Sequence, residues 1–245
     1  DHVLGSEGAG IIEAVGDGVS GLAVGDRVGY TLANGAYATH RVIDAGYVVK
    51  LPDNVSDELG ASIMLKGLTV AYLIHDSFKV EAGHTVLFHA AAGGVGLIAG
   101  QWLNALGATV IGTAGGAEKC ALAKANGYHH VIDYTSTDFE AEVMRLTDGK
   151  GVDVAYDSVG NNTMARSLTS TRRHGTIIAF GQSSGAYLDF KISDLAKGSY
   201  KLSRPTLFHF VGERDWLEAN SGKLFTAVTD GTVDISINQK FPLAD

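Results

Sequence analysis

The fold class of this chain is decided by residues 85–96, which read TVLFHAAAGGVG. Residues 85–89 are mostly apolar, as is typical of a strand buried on both faces. The small residues that follow let the chain turn tightly and bring its backbone close to a ligand. Residues 94–106 then have the pattern of a helix. The stretch therefore predicts a strand, an open glycine-rich loop and a helix in succession.

The same succession continues to residue 180. The elements in order are predicted strands at 108–113, 131–134, 152–156 and 176–180, with predicted helices at 117–126, 139–146 and 164–170. Strands that alternate with short helices form a parallel sheet covered on both faces. We therefore predict an α/β fold with a Rossmann-type, doubly wound parallel sheet.

The residues before this region predict β structure instead. Short strands beside glycine turns are predicted at 10–16, 24–28 and 35–42, and a helix is predicted to begin at residues 56–58. Beyond Pro205, a helical pattern leads to a strand-like run at 233–237.

Composition narrows the function classes. The net charge of −8 argues against nucleic acid as the main partner, because duplex binders gather Lys and Arg. Cys120 is the only cysteine, so we expect no internal disulfide and no cysteine-bound zinc, and the chain fits a cytoplasmic location. Residues 85–117 lack charged side chains over a length that could cross a bilayer. Their glycines, Gln101 and Asn104 favour a buried strand, helix and strand, so no membrane association is expected.

The glycine-rich loop points to a dinucleotide. Residues 91–96, AAGGVG, match the G-x-G-x-x-G fingerprint with alanine in the first position. Free N–H groups at the start of the following helix attract phosphate. The loop is therefore predicted to bind the pyrophosphate of a dinucleotide cofactor.

The end of the second strand bears on which dinucleotide binds. NAD sites place an Asp or Glu about 20 residues after the loop, to bind the ribose hydroxyl. Here that strand ends in TAGG at 113–116, and the next charged residues are Glu118 and Lys119. A lysine suits a ribose 2′-phosphate, which a carboxylate would repel, so we expect NADPH. In the alternative interpretation, Lys119 is an ordinary surface residue and Glu118 binds the ribose.

Six motifs in order carry a family resemblance: GSEGAG at 5–10, VGDRV at 24–28, MLKGLT at 64–69, AAAGGVG at 90–96, YDSVG at 156–160 and RPTL at 204–207. The chain resembles the zinc-independent quinone oxidoreductases, also called zeta-crystallin-like, of the medium-chain dehydrogenase/reductase superfamily. The resemblance implies a GroES-like catalytic β domain at 1–67 and 206–245, split around a Rossmann domain at 68–205. It also implies that the GroES-like domain is partial, with the chain truncated at both ends.

The resemblance bears on metal binding as well. Zinc-dependent relatives have a histidine where Ser6 stands, and four cysteines in a structural lobe. A serine hydroxyl cannot replace an imidazole as a zinc ligand. We therefore expect no catalytic metal.

The resemblance implies a set of cofactor contacts. Residues near the nicotinamide would be Thr69 and Tyr72, with Thr206, Leu207 and Phe208 beside its carboxamide. The other groups would be Ala92, Gly93, Gly94 and Val95 at the pyrophosphate, Gly115, Lys119 and Tyr134 at the 2′-phosphate, and Ser158, Phe180, Gly181, Gln182, Ser183 and Ser184 along the groove. Core packing is the alternative for Tyr72 and Phe180. No catalytic residue is assigned: Thr69 and Lys66 are candidates near the nicotinamide, and the alternative for Lys66 is a surface lysine.

The function implied is reduction of a quinone by NADPH, in a homodimer formed through an edge strand near residues 199–202. No strong protein acid is required, because the cofactor supplies the reactive atom and solvent can protonate the product. One alternative is an NADPH-dependent alkenal or enoyl double-bond reductase. Another is a non-catalytic NADPH-binding protein, crystallin-like or RNA-binding.

Overall fold

A computed structural model describes residues 3–244, which form two compact units. One unit contains the residues up to Ala71 and those from Leu207 onward, and the other spans Tyr72–Thr206. The first unit thus extends to Ala71, four residues beyond the boundary after Gly67 that the sequence predicts. Gly67 lies inside a continuous helix, α1 (Asp57–Tyr72). The outer ends of the predicted domains, Asp1 and Asp245, lie outside the described residues.

The first unit is built on a three-stranded antiparallel sheet. Its strands, in the order β1-β2-β3, are β1 (Glu7–Ile11), β2 (Arg27–Thr31) and β3 (Val48–Lys50). Helix α1 starts as predicted, with the Ser56 hydroxyl accepting a hydrogen bond from the Leu59 N–H.

Several predicted strands of this unit are wrong. β1 begins earlier than the predicted strand at 10–16, and residues 12–16 have no regular structure. Residues 37–40 form bends and the rest of 35–42 has no regular structure. The N–H groups of Ala36 and Tyr37 donate to the carbonyl oxygens of Gly5 and Leu4. Residues 233–237 also form no strand: Val233 is buried, and its N–H donates to Ala227 in the last helix.

The second unit contains a six-stranded parallel sheet in the order β6-β5-β4-β7-β8-β9. Its strands are β4 (Thr85–Phe88), β5 (Thr109–Ala114), β6 (His130–Asp133), β7 (Val152–Asp157), β8 (Thr171–Ala179) and β9 (Lys201–Ser203). The helices between them are α2 (Gly94–Ala105), α3 (Ala117–Ala125), α4 (Phe139–Leu146) and α5 (Met164–Thr169). The predicted Rossmann-type sheet is confirmed.

Buried apolar residues of this sheet pack against helix α4. Leu87, Ile111 and Ile132 from neighbouring strands pack with Phe139 and Val143 of α4. Within residues 3–244, no helix has the length and apolarity needed to cross a membrane. The uncharged stretch 85–117 is accounted for by β4, α2 and β5, as predicted.

The strand order places a crevice at a defined point of the sheet. The chain proceeds from β4 to β5 and β6 on one side, then returns to β7 and continues to β9 on the other. Ligands of open parallel sheets bind where the order reverses, outside the carboxyl ends of the strands. The loops after β4 and β7 flank that point.

Two helices of the first unit follow the six-stranded sheet in sequence. They are α6 (Leu207–Val211) and α7 (Arg214–Thr229), and they account for the helical pattern predicted after Pro205. The Arg214 guanidinium donates to the Val48 carbonyl oxygen at 2.7 Å, which ties α7 to β3.

Candidate cofactor-binding site

The loop between β4 and α2 is tight and accessible. Ala90 has a left-handed backbone with φ of 54°, and the Ala91 N–H donates to the Thr113 carbonyl oxygen at 2.9 Å. A side chain at Gly96 would clash with the backbone oxygens of Ala90 and Ala91, so only glycine fits there. The four residues predicted to bind the pyrophosphate lie between Ala91 and Gly96, and none of them is buried: Ala92, Gly93, Gly94 and Val95.

The start of α2 suits a phosphate. Gly93 occupies the N-cap position with an extended backbone and lacks a side chain that could cap the helix. The N–H groups of the first turn therefore lack intrahelical acceptors and carry a partial positive charge. A pyrophosphate group fits this cradle.

The end of β5 brings together two residues of the predicted 2′-phosphate pocket. A Cβ on Gly115 would lie 2.7 Å from the Tyr134 hydroxyl oxygen, so the glycine leaves room for the phenol. Lys119 lies nearby in sequence, exposed in the first turn of α3 beside the equally exposed Glu118. Lys119 forms no ion pair with any residue in the described part of the chain.

Asp133 is a feature of this pocket that sequence reasoning missed. This last residue of β6 accepts a hydrogen bond at 3.0 Å from the N–H of Gly116, two residues after the end of β5. Hydrogen bonds from the Thr135 side chain and from backbone N–H groups lower the pKa of the Asp133 carboxyl. An ionised carboxylate therefore lies beside Gly116 and Tyr134, where it would repel a phosphate.

The loops after β7 and β8 pack against each other. The Phe180 N–H donates to the Asp157 carbonyl oxygen at 2.8 Å, and the Ser183 N–H to the Ser158 carbonyl oxygen at 3.1 Å. Gly181 passes so close to Ser158 that a Cβ would lie 2.6 Å from its backbone oxygen. Gln182 and Ser183 are exposed and Ser184 is half-buried. The predicted groove residues of these two loops are therefore adjacent.

The five predicted nicotinamide contacts differ in their exposure. Thr69 is nearly buried, and its hydroxyl donates to the Leu65 carbonyl oxygen at 2.7 Å. Tyr72 is buried, and burial raises its pKa to about 12 in spite of the Arg204 charge. Leu207 is buried within α6, whereas Phe208 is exposed. Tyr72 belongs to the second unit, together with the half-buried Thr206 at its end; Thr69 and α6 belong to the first unit.

Lys66 is held in an ion pair rather than free on the surface. Its ammonium contacts the Glu7 carboxylate, whose second oxygen accepts the Leu65 N–H at 2.8 Å. The neighbouring Ser6 hydroxyl donates to the Ala33 carbonyl oxygen at 2.9 Å. In the part of the chain that the structure describes, no three His, Cys, Asp or Glu side chains are grouped to bind a metal.

Comparison with known proteins decides the family. Residues 1–53 match the alcohol dehydrogenase GroES-like domain family, and residues 94–219 match the zinc-binding dehydrogenase family. The quinone oxidoreductase of Pseudomonas aeruginosa is 43% identical over 244 residues, which cover 99% of this chain and 75% of that protein. This chain belongs to the quinone oxidoreductases of the medium-chain dehydrogenase/reductase superfamily. The predicted family and the GroES-like part of the predicted fold are confirmed.

Two further relatives of this chain bear on its cofactor and substrate. The crystal structure of Escherichia coli quinone oxidoreductase complexed with NADPH is 43% identical, with a TM-score of 0.94, and the match covers 98% of this chain and 75% of that one. The 2-haloacrylate reductase of a Burkholderia species is 42% identical over 248 residues, which cover 99% of this chain and 74% of that protein. The family thus contains relatives named for two different substrates.

Proposed function

We propose that this protein is a cytoplasmic, NADPH-dependent quinone oxidoreductase. One observation carries the proposal: the open AAGGVG loop lies at the reversal point of a parallel sheet, in a chain 43% identical to quinone oxidoreductases. The E. coli relative with this identity was crystallised with NADPH. A single cysteine, Cys120, is in keeping with a reducing compartment.

The residues of the second unit suit the parts of NADPH. The first turn of α2 would hold the pyrophosphate through backbone N–H groups, and Lys119 and Tyr134 would hold the 2′-phosphate by charge and hydrogen bonding. Ser158 and residues 180–184 would line the groove toward the nicotinamide. Bound NADPH supplies the reducing equivalents that convert a quinone into a hydroquinone, and the protein contributes position and electrostatics.

The test is turnover. NADPH oxidation is followed with a simple benzoquinone or naphthoquinone, and with NADH as the matched control cofactor. We expect quinone-dependent oxidation of NADPH, with a clearly lower kcat/KM for NADH. NADPH binding without oxidation by any quinone would contradict the proposed reaction.

A second candidate reaction is reduction of an activated carbon–carbon double bond. It is favoured by the 42% identical relative named 2-haloacrylate reductase. Turnover of 2-chloroacrylate and of a simple enone, compared with quinone by kcat/KM, separates the two reactions. A larger kcat/KM for the alkene substrate would replace the quinone assignment.

We further propose that catalysis needs no zinc. The Ser6 hydroxyl donates a hydrogen bond to the Ala33 carbonyl oxygen, and the Glu7 carboxylate is paired with Lys66. Both side chains therefore already have partners within the protein. Neither a serine hydroxyl nor an ammonium is a usual zinc ligand. We expect less than stoichiometric zinc in the purified protein and unchanged quinone turnover after chelation. Loss of activity on chelation, restored by zinc, would overturn this.

A homodimer through β9 is also proposed. β9 is the edge strand of the six-stranded sheet, so its outer side offers backbone groups for pairing with a second copy. Sedimentation of the protein should show dimers. A monomeric parent protein would refute the proposal.

A further inference from the structure

A chain of buried polar side chains runs beneath the carboxyl ends of the central strands. His89 follows β4, and its Nδ1 lies 2.8 Å from the hydroxyl of Thr113 in β5. The other ring nitrogen, Nε2, lies 2.9 Å from the hydroxyl of Ser167 in α5. That hydroxyl donates to Asp157 Oδ2 at 2.7 Å, at the end of β7. All four side chains are buried, so their hydrogen bonds form away from water.

The direction of these hydrogen bonds follows from the chemistry of the groups. Burial lowers the pKa of His89, against the opposing effect of Asp157, so the ring is neutral and carries one proton. Ser167 has a single hydrogen and two possible acceptors, Asp157 Oδ2 at 2.7 Å and the Thr163 carbonyl oxygen at 3.0 Å. The hydrogen goes to Asp157, because the carboxylate is both closer and charged. His89 therefore donates from Nε2 to Ser167 and accepts at Nδ1 from Thr113. Every hydrogen bond in this series thus points toward Asp157, and the series ends on its carboxylate.

Asp157 connects this chain to the loop that follows β7. Its Oδ1 accepts hydrogen bonds from the N–H groups of Val159 and Gly160 and from the Thr163 hydroxyl, each at 2.9 Å. With Ser167 on the other oxygen, the buried carboxylate has four donors, which compensate its lost hydration. The turn that carries Ser158 is thus fixed to a carboxylate that is itself fixed to β4 and β5.

We infer that His89 and Ser167 are positioning residues that hold the three strand ends of the cofactor groove at a fixed spacing. Those ends carry the pyrophosphate loop after β4, Gly115 after β5 and Ser158 after β7. The inference rests on the proposed function, because it assumes that a dinucleotide spans all three. Neither residue is assigned contact with the cofactor.

The test compares two serines near the end of α5. Ser167→Ala interrupts the series of hydrogen bonds. His89 Nε2 and Asp157 Oδ2, which lie 4.0 Å apart, then lose the hydroxyl that they share. Ser170→Ala is the matched control, since Ser170 is equally buried and its hydroxyl has no hydrogen-bond partner among residues 3–244. Each variant is titrated with NADPH and with adenosine 2′-monophosphate, a probe that lacks the pyrophosphate and therefore needs only the β5 end.

We expect Ser167→Ala to weaken NADPH binding about tenfold, the effect of one lost buried hydrogen bond, and to change adenosine 2′-monophosphate binding less than about twofold. Ser170→Ala should match the parent protein with both ligands. Equal NADPH affinity in the two variants would overturn the inference, as would equal weakening of both ligands, since that indicates general damage. A parent protein that binds adenosine 2′-monophosphate and not NADPH would refute the proposed function and the inference with it.

A second variant covers the case in which Ser167→Ala does not fold. Thr113→Val keeps the side-chain shape and removes the donor at the other end of the chain, and it should reproduce the same split between the two ligands. Nitrogen NMR of His89 tests the hydrogen-bond direction independently. A neutral ring protonated at Nε2 supports the chain as described, and protonation at Nδ1 would contradict it.

Discussion

The sheets of the two units differ in what they bury. In the second unit, the side chains of Val86, Leu87 and Val154 are wholly inaccessible, and helices cover the strands. In the first unit, β1 is nowhere fully buried, and its Ile11 is 60% exposed. The central strands of the second unit are therefore packed on both faces, whereas β1 of the first unit has room around it. We expect a small substitution to cost most where the backbone is closely packed.

The largest expected effect is at a helical glycine of the second unit. Gly96→Ala places a methyl group against the backbone oxygens of Ala90 and Ala91, which cannot move without opening the loop. We expect the free energy of unfolding to fall by about 3 kcal/mol, as for overpacking in a tight core, together with loss of NADPH binding. Urea unfolding measures the first and calorimetry the second.

Gly222→Ala in α7 is the matched control in the first unit. A Cβ there meets nothing within 4 Å, and the helix gains from the reduced backbone freedom of alanine. We expect a stabilisation of about 0.5–1 kcal/mol. Equal costs at Gly96 and Gly222 would show that the contrast between the units is not one of backbone confinement.

The next effect concerns pH and the buried histidine of the second unit. Burial lowers the folded-state pKa of His89 below its ordinary value of 6.5, Asp157 opposes this, and Arg166 adds to it. The unfolded chain then takes up the proton first, so this contribution to stability is complete above pH 6.5 and is lost as pH falls below it. We expect the free energy of unfolding to fall by up to about 1.4 kcal/mol per pH unit.

Two variants separate His89 from other titrating groups. His89→Gln should remove that part of the slope, and His40→Gln, whose side chain is 72% exposed in the first unit, should keep it. A slope unchanged in His89→Gln would mean that the ring is not held neutral in the folded protein.

A smaller effect is expected at the proposed 2′-phosphate pocket. Lys119→Ala should weaken NADPH binding about tenfold and leave NADH binding unchanged, because a charge-assisted contact to the phosphate is lost. Lys124→Ala on the same helix is the control, since its ammonium is already bonded to the His129 carbonyl oxygen. A loss of NADH affinity in Lys119→Ala would instead assign Lys119 to both cofactors.

The smallest effect is expected at the carboxylate that sequence reasoning missed. Asp133→Asn keeps an oxygen to accept the Gly116 N–H and removes a negative charge near the phosphate. We expect NADPH to bind about threefold more tightly at low salt, with the gain shrinking as salt screens the charge. An improvement for NADH rather than NADPH would contradict a 2′-phosphate at this position.

The sequence could predict the second unit closely, because its signals are local. Helix α4 has the predicted bounds, since the Asp138 side chain caps it by accepting the Ala141 N–H at 3.1 Å. β8 was predicted too short, at 176–180, because it continues back through the polar Arg172, Arg173 and His174. The register with β7 shifts between Thr171 and Thr176, so no regular alternation marks this part of the strand.

In the first unit, the structure depends on distant contacts. Residues 35–42 alternate like a strand, and what prevents pairing is their bonding to Gly5 and Leu4, some thirty residues earlier. The same limit applies to the site. The glycine loop could be found from its own residues, whereas Asp133 and Ser167 meet their partners only through strand order, 17 and 78 residues away. Sequence spacing alone does not contain that order.

The most direct test of the central claim is a calorimetric titration of the protein with NADPH and, separately, with NADH at one fixed salt concentration. The account predicts binding of both through the loop at Gly93 and Gly94, with NADPH about tenfold tighter through Lys119 and Tyr134. Equal affinities would contradict the 2′-phosphate pocket and return the ribose to Glu118 or Asp133. Binding of neither cofactor would contradict the proposed function itself.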